Sequence, residues 1–154
     1  MLLYIVFAAA IIAADILTKY LATSYLMEKD ITLIENILYF SYVENRGAAF
    51  GILQNARWLF IVISVAVIAA IIIYLAVKKP ESKLFIMGLA AVSGGGIGNL
   101  IDRVSSGYVV DFIDFRIINF PVFNVADIFV VCGGFLFAFY ILFQHPSSEK
   151  TDDN

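Results

Sequence analysis

Asp111 and Asp127 are the residues of this sequence with the strongest claim to chemistry. Asp111 stands in Val109-Val110-Asp111-Phe112, where apolar neighbours would draw it partly out of water. Asp127 closes Asn124-Val125-Ala126-Asp127, shortly after Pro121 and just before a long apolar run. That pattern marks the first turn of a helix. Asn124 as N-cap with an acid three residues later would make a capping box, with Asp in place of Glu, which is a purely structural use. Yet Asp127 would then lie just inside a lipid boundary, an expensive place for a charged cap. Two partly buried carboxylates on adjoining elements are also what acid–base hydrolysis requires. One, ionised, draws a proton from water; the other, protonated, polarises the bond to be cut. Close like charges disfavour double ionisation, so such a pair shares one proton.

Further polar residues interrupt apolar sequence and need an account. Asp15 and Lys19 are spaced i,i+4 and fall on one helix face, as an ion pair would. That pair is either structural or, through Asp15, an arm reaching toward the site. Asn99 and Asp102, spaced i,i+3, share a face, and Arg103 follows where the helix should emerge. An interhelical hydrogen bond and a terminal Asp102–Arg103 pair account for them. Gly94, Gly95, Gly96 and Gly98 precede them but do not spell a nucleotide-binding loop. Gly94 and Gly98 give G-x-x-x-G, which lets helices approach closely in lipid. Asn45-Arg46-Gly47-Ala48-Ala49-Phe50-Gly51 offers directed donors beside small residues. It reads equally as a ligand-approaching loop or as a turn, and the residues alone leave both open.

The elements that must position these groups belong to a membrane protein. Of 154 residues, 62% are hydrophobic and 15% charged, against roughly 45–50% and about 25% in soluble domains. Four segments approach the ~20 apolar residues that a spanning helix needs: 1 to about 22, 58–77, 84–101 and about 124–143. The first lacks a basic start and a cleavage site and carries an ion pair, so it reads as a retained span. Lys78, Lys79 and Lys83 cluster between the second and third spans, which places that turn and both termini in the cytoplasm. Residues 31–50 and 108–115 are rich in β-branched and aromatic side chains and predict strands at the outer interface. The expected architecture is an all-α polytopic membrane protein: four transmembrane helices and a small sheet over their outer ends, one domain over 1–145. Residues 146–154 predict a disordered cytoplasmic tail. Cys132 stands alone in an apolar run and cannot form an internal disulfide. No basic stripe suggests nucleic acid. A transporter would also place carboxylates in broken helices, but here every ionisable candidate crowds toward one side. A membrane adaptor would need neither aspartate.

At these motifs the chain resembles the lipoprotein signal peptidases, signal peptidase II. Asp15 to Lys19, NRGAAFG, GNLIDR, VVDF and FNVAD occur in that family's order and approximate spacing, over 15–127. The resemblance implies four transmembrane helices, cytoplasmic termini, an extracytoplasmic β-cradle and a short surface helix. It implies a membrane aspartic endopeptidase, with Asp111 and Asp127 catalytic. Asp15, Lys19, Asn45, Arg46, Asn99, Asp102, Arg103 and Asn124 would support the site or hold substrate. The implied substrate is a prolipoprotein whose cysteine already carries diacylglyceryl, cut just before that cysteine, in the bacterial cytoplasmic membrane. The partners are then the lipidated precursor and membrane lipid. No metal, no cofactor and no obligate protein partner is implied.

Overall fold

Each long apolar run must satisfy its own backbone hydrogen bonds in lipid, so each becomes a helix. The structure, a computed structural model, describes residues 1–48, 52–118 and 120–143. Among them, four helices are long and apolar enough to cross a membrane: α1 (Leu2–Leu26), α2 (Arg57–Lys78), α3 (Lys83–Ser105) and α4 (Val125–Phe143). Residues 49–51 of the NRGAAFG stretch, and the tail over 146–154 with its boundary at 145, lie outside the described residues.

The helix ends follow local chemistry. Lys79 ends α2 in the left-handed region and returns its N–H to Leu75. Pro80 then forbids continuation. Ser82 caps α3, its hydroxyl accepting from the Phe85 N–H. Two helices run further than the composition suggests. α1 continues to Leu26, which leaves Asp15 near mid-helix. α3 continues to Ser105, so Asp102 and Arg103 lie in its last turns instead of beyond it. Partners on other elements hold both side chains, so the helix can carry them without exposing them to lipid.

The helices alternate in direction, and α3 is central, packing on α1, α2 and α4. Its glycines make that possible. A Cβ on Gly94 would meet the Ala8 carbonyl at 3.0 Å, and one on Gly95 would collide with the Ala126 carbonyl oxygen. By contrast α2 buries no residue against the rest of the chain. Apart from the side that meets α3, its apolar surface faces lipid.

At the end of the bundle where α1 and α3 finish and α4 begins lies a three-stranded antiparallel sheet. Its strands are β1 (Ile31–Ile34), β2 (Leu38–Asn45) and β3 (Val109–Phe115), in that order. β1 and β2 form a hairpin whose turn holds Asn36 at φ 60°, a conformation asparagine tolerates. Between Phe40 and Val43 the pairing with β3 slips by one residue, so β2 carries a bulge. Beyond it Val43 faces Asp111 and Asn45 faces Val109. Ala22 and Leu26 of α1 pack with Val110 and Phe112 of β3, fastening the sheet to the bundle. Burial of a side chain such as Phe112 contributes roughly 1.5–3 kcal/mol. Of the implied short surface helix, the described residues hold one three-residue 3-10 turn, Arg116–Ile118, and turns over 52–55.

Candidate active site

Three elements deliver the carboxylates and their partners to one place. β3 presents Asp111, the first turn of α4 presents Asp127, and β2 ends on Asn45. All three side chains line one cleft of about 560 Å³, together with Arg103, Phe60 and Cys132. Its remaining walls are mostly apolar, from the 120–123 segment and the first turns of α4.

The sequence reading of Asn124 and Asp127 as a capping box is correct. The Asp127 N–H donates to Asn124 Oδ1 at 2.9 Å, and the Asn124 N–H donates to Asp127 Oδ2 at 3.2 Å. That arrangement does not exhaust either residue. Asp127 Oδ1 accepts from Asn99 Nδ2 at 2.8 Å. Asn124 Nδ2 donates to Asp111 Oδ1 at 2.6 Å. The second Asp111 oxygen accepts from Asn45 Nδ2 at 2.8 Å. Capping and site are therefore the same hydrogen-bond network.

Three asparagines face the two carboxylates, and each amide has only one workable orientation. Asn45 Oδ1 is occupied by the Gly47 N–H, Asn124 Oδ1 by the Asp127 N–H, and Asn99 Oδ1 by the Lys19 ammonium at 2.9 Å. Every carbonyl end meets a donor, so every NH2 end is left for an acid.

Asp111 is 1% exposed. Burial pushes its carboxyl up to about 7, and the nearby Asp127 charge adds to the rise, against the hydrogen bonds from Asn45 and Asn124. A carboxyl in that range is still partly protonated at neutrality and can donate that proton. Asp127 lies in the first turn of α4, where the positive end of the helix dipole favours an anion. The arrangement can therefore hold one acid and one base toward a bond lying in the cleft.

The other expected site residues divide. Asp15, fully buried, pairs with Lys19 at 2.7 Å and accepts the Ala126 N–H at 2.9 Å. Asp102 does not pair with Arg103. Its Oδ2 meets Lys19 at 3.0 Å and the Val110 N–H at 3.1 Å, because α3 turns that face toward α1 and β3. Arg103 instead stacks on Phe60 at 4.9 Å and donates to the Gly47 carbonyl at 3.4 Å, at the cleft wall. Arg46 is exposed; it pairs with Glu44 at 2.8 Å and lies over Tyr108, with no hydrogen bond to either aspartate. Asn45 thus faces the carboxylates while its neighbour faces away, as strand alternation requires.

Some contributors escaped the sequence. Phe60 looked like any apolar residue of a span, and Ala126 takes part only through its backbone. Gly98 had a signal, its position beside Asn99, but its use is specific: a Cβ there would meet Asp15 Oδ2 at 2.5 Å. Among the described residues, no group of three or more His, Cys, Asp or Glu side chains is arranged to hold a metal ion.

Similarity to known proteins agrees with this geometry. Residues 7–143 match the family model for signal peptidase (SPase) II. A lipoprotein signal peptidase of Caldanaerobacter subterraneus subsp. tengcongensis is 50% identical over 142 residues, covering 91% of this chain and 96% of that one. One from Clostridioides difficile is 42% identical over 150 residues, covering 96% and 100%. A bacterial membrane enzyme solved by the in meso method at 2.3 Å superposes with a TM-score of 0.86 at 29% identity, over 100% of this chain and 95% of the other. A second, solved by the same method at 1.9 Å, gives 0.83 at 30%, over 93% and 94%. With both fold and sequence matched along nearly their whole length, this chain belongs to the signal peptidase II family of membrane proteases.

Proposed function

We propose that this protein removes the signal peptide from diacylglyceryl-modified prolipoproteins, cutting just before the lipidated cysteine, with Asp111 and Asp127 as the catalytic pair. The observation that carries the reading is that both carboxylates line one cleft and are bridged by Asn124, whose side-chain N–H donates to Asp111 and whose backbone N–H donates to Asp127. In the free enzyme the pair holds one proton, for which the buried Asp111 carboxyl, raised to about 7, is the seat. Asp127 takes a proton from water as the oxygen attacks the scissile carbonyl, and Asp111 passes its proton to the carbonyl oxygen. The tetrahedral intermediate then collapses. The C–N bond breaks, a proton moves to the cysteine nitrogen, and the signal peptide leaves with a new carboxyl terminus. The pair again holds one proton.

The cleft lies at the sheet end of the bundle, and its apolar walls suit a substrate that keeps its signal helix and acyl chains in lipid. Lys78, Lys79 and Lys83 lie at the opposite end, which supports cytoplasmic termini and an extracytoplasmic site in the bacterial inner membrane. Substrate recognition is tested with purified protein and two precursors differing only in the diacylglyceryl group. The lipidated form is cleaved and the unlipidated form poorly. Equal turnover of the two removes lipid recognition from the reading.

A further inference from the structure

Lys19 is 4% exposed, seven residues before the end of α1, on the face that also buries Asp15, Ala22 and Leu26. Its ammonium has three N–H donors, and three acceptors surround it: Asp15 Oδ2 at 2.7 Å, Asn99 Oδ1 at 2.9 Å and Asp102 Oδ2 at 3.0 Å. Burying such a group is costly, and a structural pairing would need only Asp15. What distinguishes this cluster is where its members reach next. Asp15 Oδ1 holds the N–H of Ala126, the residue before Asp127. Asp102 Oδ2 holds the N–H of Val110, the residue before Asp111. Asn99 Nδ2 holds Asp127 itself, at 2.8 Å.

We infer that Lys19 is a positioning residue for the catalytic pair. Its single ammonium gathers three side chains, two gripping the backbone immediately before the aspartates and the third gripping the Asp127 carboxylate. The inference rests on the dyad proposed above and gives α1 a part in the reaction although α1 contributes nothing to the cleft wall.

The Asn99 arm is the one that can be isolated. A carboxylate and an ammonium can both hold an asparagine amide, but only from opposite ends. Lys19 accepts nothing, so it fixes Asn99 with its oxygen inward and its NH2 toward Asp127. Asn124 Nδ2 also donates to that oxygen, at 3.1 Å; without the ammonium this is the amide's remaining hold against turning oxygen to oxygen at Asp127. Gly98 completes the arrangement, since any side chain there would occupy the space of the Asp15 carboxylate.

The test is a double-mutant cycle on the full-length purified chain, reading cleavage of a lipidated precursor by protein that elutes folded from detergent extraction. Lys19→Met is expected to lower kcat about 100-fold, as sub-ångström to ångström misplacement of reacting groups does, with KM within twofold. Asn99→Ala lowers kcat as well. Because Lys19→Met already releases the Asn99 arm, the double variant is expected to be no worse than the poorer single. Losses that multiply, or a folded Lys19→Met that turns over normally, overturn the inference. Should Lys19→Met not fold, Lys19→Arg enters the same cycle, since a planar fork cannot place one N–H on each of three such acceptors. Multiplying losses there overturn the inference equally. Wild-type turnover and its loss in Asp111→Asn check the underlying dyad separately.

Discussion

Asn124 donates its side-chain N–H to Asp111 Oδ1 at 2.6 Å while its own Oδ1 accepts the backbone N–H of Asp127 at 2.9 Å. A residue that looks like a helix cap thus ties the first turn of α4 to the middle of β3. Replacing it by alanine leaves one Asp111 oxygen and one buried N–H unpartnered, a loss of about 1–3 kcal/mol. Asn124→Ala should therefore lower both thermal stability in detergent and kcat. Asn124→Asp, nearly identical in shape, should inactivate more completely by placing a third carboxylate against Asp111. An Asn124→Asp variant with wild-type turnover would contradict the bridging role.

The aspartates should behave as one unit. Asp111→Asn or Asp127→Asn is expected to cost on the order of 10²–10⁴-fold in kcat, since an amide neither accepts nor returns the proton. The double variant should be scarcely worse than either single. Asp114 is the control. It lies on the other side of β3 from Asp111 and pairs with Arg116 at 2.6 Å, outside the cleft. Asp114→Asn should keep turnover within a few-fold, and the reverse pattern would show that the dyad is misassigned.

The raised Asp111 carboxyl has two consequences with pH. Turnover should fall as pH rises through about 7, because the pair then loses its acid. A pH–rate profile level from 6 to about 9 is incompatible with that assignment. Stability carries the same sign. From its ordinary 3.8 up to about 7 the folded chain holds a proton that the unfolded chain has released. Wild type therefore loses stability as pH rises across that window, by at most about 1.4 kcal/mol per pH unit. Asp111→Asn cannot titrate. Its melting temperature should gain on wild type between about pH 4 and 7 and then hold a constant lead.

Glycines of α3 should differ sharply in tolerance. Gly98→Ala would press on Asp15 and on Ala126 Cβ at 3.4 Å, and should destabilise by about 1–3 kcal/mol. At Gly96 a Cβ meets only Ile68, at 3.8 Å. Gly96→Ala should be harmless and gain slightly from helix propensity. Melting temperatures of the two purified variants separate these outcomes, and equal losses would refute the close approach at Asp15.

Orientation can be read by labelling. A cysteine introduced near Lys29 should react with an impermeant reagent added outside cells, and one near Lys79 should not. Cys132 must first be replaced, because its thiol is exposed at the cleft wall. Labelling at Lys79 alone would invert the topology.

The sequence by itself determined the spans, the strand regions and the start of α4. The reason is local. An apolar run in lipid has no way but a helix to satisfy its peptide groups, a β-branched and aromatic run beside Gly and Asn has few alternatives, and Asn124 and Asp127 cap within a single turn. It also brought Asp15 beside Lys19, since i,i+4 spacing implies contact. Tertiary structure decided the partners. Lys19 is shared with Asp102 and Asn99, 83 and 80 positions away, only because α3 crosses α1 at its glycine face. Asp102 turns from Arg103 to Lys19 for the same reason. Arg46 faces Glu44 and Tyr108 while Asn45 faces Asp111, an outcome set by which side of β2 the bulge leaves toward the cleft. Helix extents moved too, α3 reaching Ser105 because β3 and α1 supply partners for Asp102, and Phe60 and the Gly47 carbonyl for Arg103. Propensity acts over a few residues of one segment, whereas a buried donor or acceptor takes whatever partner the crossing of two distant segments brings within about 3 Å.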